Sequence, residues 1–82
     1  MEGKSVLIVD DSDRIRDELR QHYSECSLKV VGECSNGIEA LEFLEENPNT
    51  DLISLDIIMP EMDGIECYRA IRRLGLNVRV LI

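Results

Sequence analysis

Tryptophan is absent, and one Phe and two Tyr are the only aromatic residues among 82, so the core must rest on Ile, Leu and Val. Cysteine is scarce as well. Cys26, Cys34 and Cys67 are odd in number and show no C-x-x-C spacing, which argues against a metal ribbon or a disulfide framework. They read as small, mostly buried thiols in a reducing cytoplasm. No apolar run approaches the ~20 residues that cross a bilayer, and Met1-Glu2-Gly3-Lys4 leads into a strand-like run without a signal-peptide pattern. The largest deficit is positive charge: 9 Lys and Arg stand against 17 Asp and Glu, for a formal net charge of −8. Such a chain repels phosphate backbones and anionic headgroups, so it is not expected to bind nucleic acid or a membrane by itself. Its length allows one domain at most, burying only about 60–65% of the unfolded surface, so stability should be marginal.

What the chain does have is an alternation of short apolar runs with segments of helical period, the pattern of β-α-β units. Residues 5–10 read as a central strand, apolar on both faces. Ser12 can cap a helix in which Ile15, Leu19, Tyr23 and Cys26 form one stripe, with His22 beside it and expected to be partly buried. Residues 28–33 read as a second strand, an edge because of Lys29 and Glu33. Asn36-Gly37-Ile38-Glu39 supplies a capping box for a second helix with Ala40, Leu41 and Leu44 inward. Asn47-Pro48-Asn49-Thr50 stops it. Residues 51–56 form a third strand, and a loop leads to a third helix with a stripe of Ile65, Tyr68, Ile71 and Leu74. Arg69, Arg72 and Arg73 lie mostly off that stripe. Gly75 ends the helix, and residues 77–82 read as a fourth strand. The order is β-α-β-α-β-α-β.

Three aspartates close two of these runs. Val6-Leu7-Ile8-Val9 ends in Asp10-Asp11-Ser12, and Leu52-Ile53-Ser54-Leu55 ends in Asp56. If the first and third strands are parallel neighbours, all three carboxylates meet at the carboxyl edge of the sheet, where such folds place their function. The cluster repels itself unless a cation or proton resolves it. Mg²⁺ is the natural partner, since it takes one or two carboxylates together with a phosphate. Asp56 is the candidate nucleophile toward phosphorus, and Asp10 and Asp11 are placed to hold the metal.

Val6-Leu7-Ile8-Val9-Asp10-Asp11-Ser12, Asn36-Gly37-Ile38-Glu39-Ala40-Leu41, and the run from Leu55-Asp56-Ile57-Ile58-Met59-Pro60 through Glu61-Met62-Asp63-Gly64-Ile65-Glu66 resemble the receiver domain of two-component response regulators. The last segment is similar to chemotaxis-type receivers. The resemblance covers nearly the whole chain, as the N-terminal two-thirds of a receiver. It implies a flavodoxin-like parallel sheet of order 2-1-3-4, incomplete, with the last strand and last two helices absent. It also implies that Asp56 is the phosphoacceptor, charged by a phosphohistidine on a sensor histidine kinase or a histidine phosphotransfer domain. Asp11 would be a direct Mg²⁺ ligand, Asp10 would act mainly through metal-bound water, and the backbone carbonyl of Ile58 would be the third protein ligand. Pro60 and Gly64 would shape the loop. Ile15 matches a position that in some receivers meets the kinase, although inward packing explains it equally well.

A full receiver carries five β-α units, and this chain stops in the fourth strand, before the family's switch Ser/Thr and its Lys. Phosphotransfer is then expected to be slow and switching absent. The fourth strand is expected to present an open edge, prone to pairing with another copy or to segment swapping, and one face of the first and third strands is expected to lose cover. Two rival readings remain. An inert fragment keeps the half-fold without activity. An aspartyl phosphatase of the haloacid-dehalogenase kind would want a second acid two residues after Asp56, where Ile58 stands. Gly3-Lys4-Ser5 precedes the first strand and lacks an upstream Gly, so it is no nucleotide-binding loop. The expectation is a cytoplasmic signalling module and not an enzyme.

Overall fold

Val6, Leu7 and Ile8 are wholly inaccessible to solvent and Val9 nearly so. A strand with no polar face needs cover on both faces and strand neighbours on both edges, and that requirement organises the molecule. The computed structural model describes residues 3–82. Its elements are β1 (Ser5–Val9), α1 (Asp13–Glu25), β2 (Lys29–Cys34), α2 (Gly37–Glu46), β3 (Leu52–Leu55), α3 (Gly64–Arg73) and β4 (Arg79–Leu81). The strands form one parallel sheet in the order β2-β1-β3-β4. This is the expected flavodoxin-like order, incomplete relative to full receiver domains, with β2 at an edge and β1 beside β3.

The two sheet faces are covered differently. Leu7, Val9, Ile53 and Leu55 face α2 and α3, where they pack with Ala40, Leu44, Cys67 and Ile71 in the main core. Val6, Ile8 and Leu52 share the opposite face with Ser54, whose Oγ accepts a 2.9 Å hydrogen bond from the Tyr23 hydroxyl of α1. Ile15, Leu19 and Tyr23 are half-buried there, as one apolar stripe predicts. The expected uncovering of β1 and β3 is not found: Val6, Ile8 and Leu52 are at most 3% exposed. One helix suffices for the two central strands, and the open apolar surface falls instead on β4, where Leu81 is 40% exposed.

Three local expectations need correction. Cys26 and His22 are exposed, because the last turn of α1 turns both away from the sheet; Cys34 and Cys67 are buried. Burial pushes both of those thiols up to about 11, which leaves them neutral packing groups at pH 7. The inner face of α3 is Gly64, Cys67, Ala70 and Ile71, while Ile65, Tyr68 and Leu74 are exposed. Helical spacing permits either face, and small side chains let α3 sit close to its neighbours. The capping box also sits elsewhere. Asn36 caps α2, but Glu39 reaches past it to the amide and hydroxyl of Ser35, at 2.9 and 3.1 Å. The reciprocal box belongs to α3, between Asp63 and Glu66.

At the opposite end of the sheet, Ser5 and Asp51 bind each other reciprocally. The Ser5 amide and hydroxyl donate to Asp51 Oδ2 at 2.8 and 3.1 Å, and the Asp51 amide donates to Ser5 Oγ at 2.9 Å. The Ser5 amide, then its hydroxyl, hold the Asp51 carboxyl below the usual carboxylate range. A lowered folded-state pKa means that this stabilisation is present above about pH 4 and is lost as pH falls through the folded value. Asp51→Asn keeps an acceptor but no charge. Urea unfolding across pH should show it less stable than wild type at pH 7, with the difference narrowing below about pH 4.

Candidate phosphoryl and metal site

The direction of chain travel reverses at β1 and β3: the connection from β1 leads outward to β2, and that from β3 leads the other way to β4. The crevice beyond their carboxyl ends is the place where such a sheet leaves room for a ligand. Two ladder bonds fix the backbone there. The Asp10 amide donates to the Cys34 carbonyl and the Asp56 amide to the Val9 carbonyl, both at 3.0 Å. Side-chain oxygens of Asp10, Asp11 and Asp56 consequently lie within 4.8 Å of one another. Asp10 and Asp56 are half-buried and Asp11 is exposed.

Each carboxylate has a different anchorage. Asp10 Oδ1 accepts the Ser12 amide at 2.9 Å, in the turn where Ser12 Oγ accepts the Ile15 amide and caps α1. The backbone amides of Ile58 and then Ile57, close to the Asp56 carboxylate, favour its ionised form. Burial and the charges of Asp10 and Asp11 outweigh them, so the Asp56 carboxyl lies above its ordinary range. Among the described residues no Lys or Arg nitrogen pairs within 4.0 Å with any of the three. An all-oxygen donor set with uncompensated negative charge fits a hard divalent cation, and Mg²⁺ in particular.

The β3–α3 loop that frames the site is held by close backbone approaches. The Gly64 amide donates to the Ile57 carbonyl at 2.8 Å, and a Cβ on Gly64 would lie 2.3 Å from the Asp56 carbonyl oxygen. The Gly37 amide donates to the Met62 carbonyl at 3.1 Å, with no room for a Cβ. Glu61 sits at φ +67°, a left-handed conformation that costs a non-glycine residue roughly 1–2 kcal/mol. Met59 is buried beneath the loop, while Pro60 is exposed and Ile58 is 82% exposed. Sequence reading singled out Gly64 and Pro60 here. It missed Gly37 and Glu61, whose roles depend on a neighbouring segment, and Asp63, although Asp63-x-x-Glu66 carries the capping pattern openly.

A family model, the response regulator receiver domain, matches residues 6–82. The chain belongs to that family. The receiver is 38% identical over 80 residues to the chemotaxis protein CheY of Thermotoga maritima, covering 98% of this chain and 66% of that protein. Its structure matches a crystal structure of the CheX-CheY-BeF3-Mg complex from Borrelia burgdorferi with TM-score 0.89 and 36% identity, covering 96% of this chain and 60% of that one. It also matches the crystal structure of the P1 domain of CheA3 in complex with CheY6 from R. sphaeroides, with TM-score 0.80 and 38% identity, covering 98% and 62%. The chain thus spans about two thirds of the length of these relatives. The Borrelia burgdorferi complex contains Mg²⁺, and in this chain Asp10, Asp11 and Asp56 form an acidic cluster. No helix among the described residues is long and apolar enough to cross a membrane.

Proposed function

We propose that residues 1–82 form a regulatory unit that accepts a phosphoryl group on Asp56, with Mg²⁺ held by Asp10, Asp11, Asp56 and the backbone carbonyl of Ile58. The observation that carries this is the convergence of three carboxylates within 4.8 Å at the β1/β3 crevice. The donor is a phosphohistidine on a sensor histidine kinase or a histidine phosphotransfer domain in the cytoplasm. The solved CheA3–CheY6 complex, whose receiver has this fold, supports that partner. A carboxylate oxygen of Asp56 attacks phosphorus as the imidazole leaves. The O–P bond forms, the N–P bond breaks with its electrons going to nitrogen, and the histidine leaves as neutral imidazole after taking a proton from water. When bound, Mg²⁺ neutralises charge on the carboxylates and the transferring group. The amides of Ile58 and Ile57 favour the ionised Asp56, and the Ser12 amide keeps Asp10 turned inward. The protein therefore supplies an acceptor and no turnover of its own beyond assisting that transfer and its own dephosphorylation. A net charge of −8 assigns no nucleic-acid or membrane partner to this chain by itself.

Beryllium fluoride, a tetrahedral phosphoryl mimic, provides the test. Added with Mg²⁺, it should shift the amide NMR signals of Asp56, Ile57 and Ile58, and Mg²⁺-free controls should not change. Shifts spread away from the three aspartates would reject the assignment.

A second reading concerns self-association. Among the described residues β4 pairs only with β3, so its outer edge offers unpaired backbone groups, and Leu81 and Ile82 are 40% and 67% exposed beside it. The 82-residue polypeptide studied by itself should pair through β4 with a second copy. Light scattering should give a mass above the monomer at micromolar concentration; a well-folded monomer would reject the idea.

A further inference from the structure

Arg16 lies on the second turn of α1, yet its side chain is only 15% exposed, which is unusual for a guanidinium on a surface helix. Its Nη1 donates to the backbone carbonyl of Asp10, and its other nitrogens pair with the carboxylates of Asp13 and Glu33. The carbonyl it reaches has a particular problem. The Asp10 amide makes the last ladder bond to β2, and β2 ends at Cys34 before turning into α2. The Asp10 carbonyl therefore has no strand donor beyond it, and a fixed guanidinium replaces the missing one. The guanidinium is itself held in place. Glu33 on β2 also pairs with Arg20 at 2.6 Å, and Arg20 pairs with Asp17 at 2.7 Å.

We propose that Arg16 is a positioning residue for the acidic site: by clamping the Asp10 carbonyl against β2 it sets the turn that brings Asp10 and Asp11 toward Asp56. The inference rests on the phosphoryl-acceptor reading for its function, but the clamp itself can be judged without metal. Arg16 touches neither the carboxylate oxygens of Asp10 nor Asp56, so its action runs through the backbone of the turn. Groups that orient ligands from behind in this way usually matter about 10–100-fold in metal affinity.

The sign of the effect separates this role from plain electrostatics. Arg16 is a positive charge beside a cation site, so removing it by charge alone would tighten Mg²⁺ binding. Removing it as a clamp loosens binding. The test uses Arg16→Met, which keeps the bulk of the stem, with Arg16→Lys as the conservative variant. Arg20→Met serves as a control that breaks the Glu33 and Asp17 pairs but leaves the Asp10 carbonyl contact. Two readouts are taken on protein shown by circular dichroism to be folded: amide hydrogen exchange at Asp11 and Ser12 without metal, and Mg²⁺ affinity by NMR titration with MgCl₂.

Arg16→Met should speed exchange at Asp11 and Ser12 and weaken Mg²⁺ binding about 10-fold or more. Arg16→Lys should recover part of both, and Arg20→Met should stay near wild type in both. Unchanged exchange at the turn, or Mg²⁺ binding that tightens in Arg16→Met, would overturn the positioning role. A loss of the same size in Arg20→Met would overturn it too, because the ion-pair network would then be the cause. Failure of the wild type itself to bind Mg²⁺ would count against the phosphoryl-acceptor reading, while exchange at Asp11 and Ser12 would still decide the clamp.

Discussion

Metal-free Asp56→Asn should unfold at a higher urea concentration than the wild type at pH 7, and it should accept no phosphoryl group. Asp56 is pushed above its ordinary pKa by burial first and by the charges of Asp10 and Asp11 after it. A carboxyl with a raised folded-state pKa favours the native state below its ordinary value of about 4, and that contribution is lost as pH rises through the folded value. At neutral pH the ionised Asp56 is thus a burden on the fold. Asn keeps the shape and one oxygen for the amides of Ile57 and Ile58 and sheds the charge. The variant's advantage should accordingly shrink as pH falls from the folded value toward about 4 and level off below it. Saturating Mg²⁺ should reverse the ranking, because a ligand that binds only the native wild type raises its stability by mass action. The carboxamide nitrogen, its lone pair delocalised, is no substitute nucleophile. Urea titrations in chelator and in Mg²⁺ check the crossover; a variant less stable than wild type in chelator would contradict the electrostatic description of the site.

Gly64→Ala should cost about 3 kcal/mol, at the upper end for forcing extra volume into a packed site. The added Cβ would lie 2.3 Å from the Asp56 carbonyl oxygen, 2.8 Å from the Ile57 Cα and 3.0 Å from the Asp56 carbonyl carbon. All three are backbone atoms, so no side chain can swing aside. Helix propensity runs the other way, since Ala is favoured over Gly by about 1 kcal/mol inside a helix, so a large loss isolates the steric term. For a chain of this size, whose whole stability is about 4–12 kcal/mol, the loss is severe. It should also spread to Mg²⁺ affinity, because two of the three displaced atoms belong to Asp56. Gly75→Ala is the comparison: φ is +70° but nothing lies within 4 Å, so only the left-handed conformation is penalised, by roughly 1–2 kcal/mol. Equal losses at the two positions would contradict the close-approach explanation.

The sheet was legible because its signals are local. Val6-Leu7-Ile8-Val9 is apolar at every position, as only a strand covered on both faces can be, and strand-ending aspartates mark the carboxyl edge wherever the strands sit. Family resemblance then supplied the strand order. What failed was whatever depended on which neighbour a face meets. Ile65, Tyr68 and Leu74 have the right spacing and hydrophobicity for an inner stripe, yet α3 turns Gly64, Cys67 and Ala70 inward, because its first turn presses on the Asp56–Ile57 backbone. Hydrophobicity ranks side chains and takes no account of how closely two backbones approach. The capping box went astray for a related reason: both Asn36-x-x-Glu39 and Asp63-x-x-Glu66 fit the pattern, and only the fold shows that Glu39 is taken by Ser35. Arg16 carried no signal at all, since one of three arginines among the acids of α1 reads as a solvated charge until the stranded Asp10 carbonyl is seen.

Asp10, Asp11 and Asp56 are expected to make one cation-dependent site at which Asp56 is the acceptor. Its most direct measurement is the mass of the Asp56 peptide after incubation with acetyl phosphate and Mg²⁺, with the acyl phosphate trapped by hydroxylamine before digestion. The expected result is a hydroxamate at Asp56, absent in chelator and sharply reduced in Asp11→Asn. A folded protein that shows no modification at Asp56, or shows it equally without Mg²⁺, would contradict a cation-dependent acceptor site.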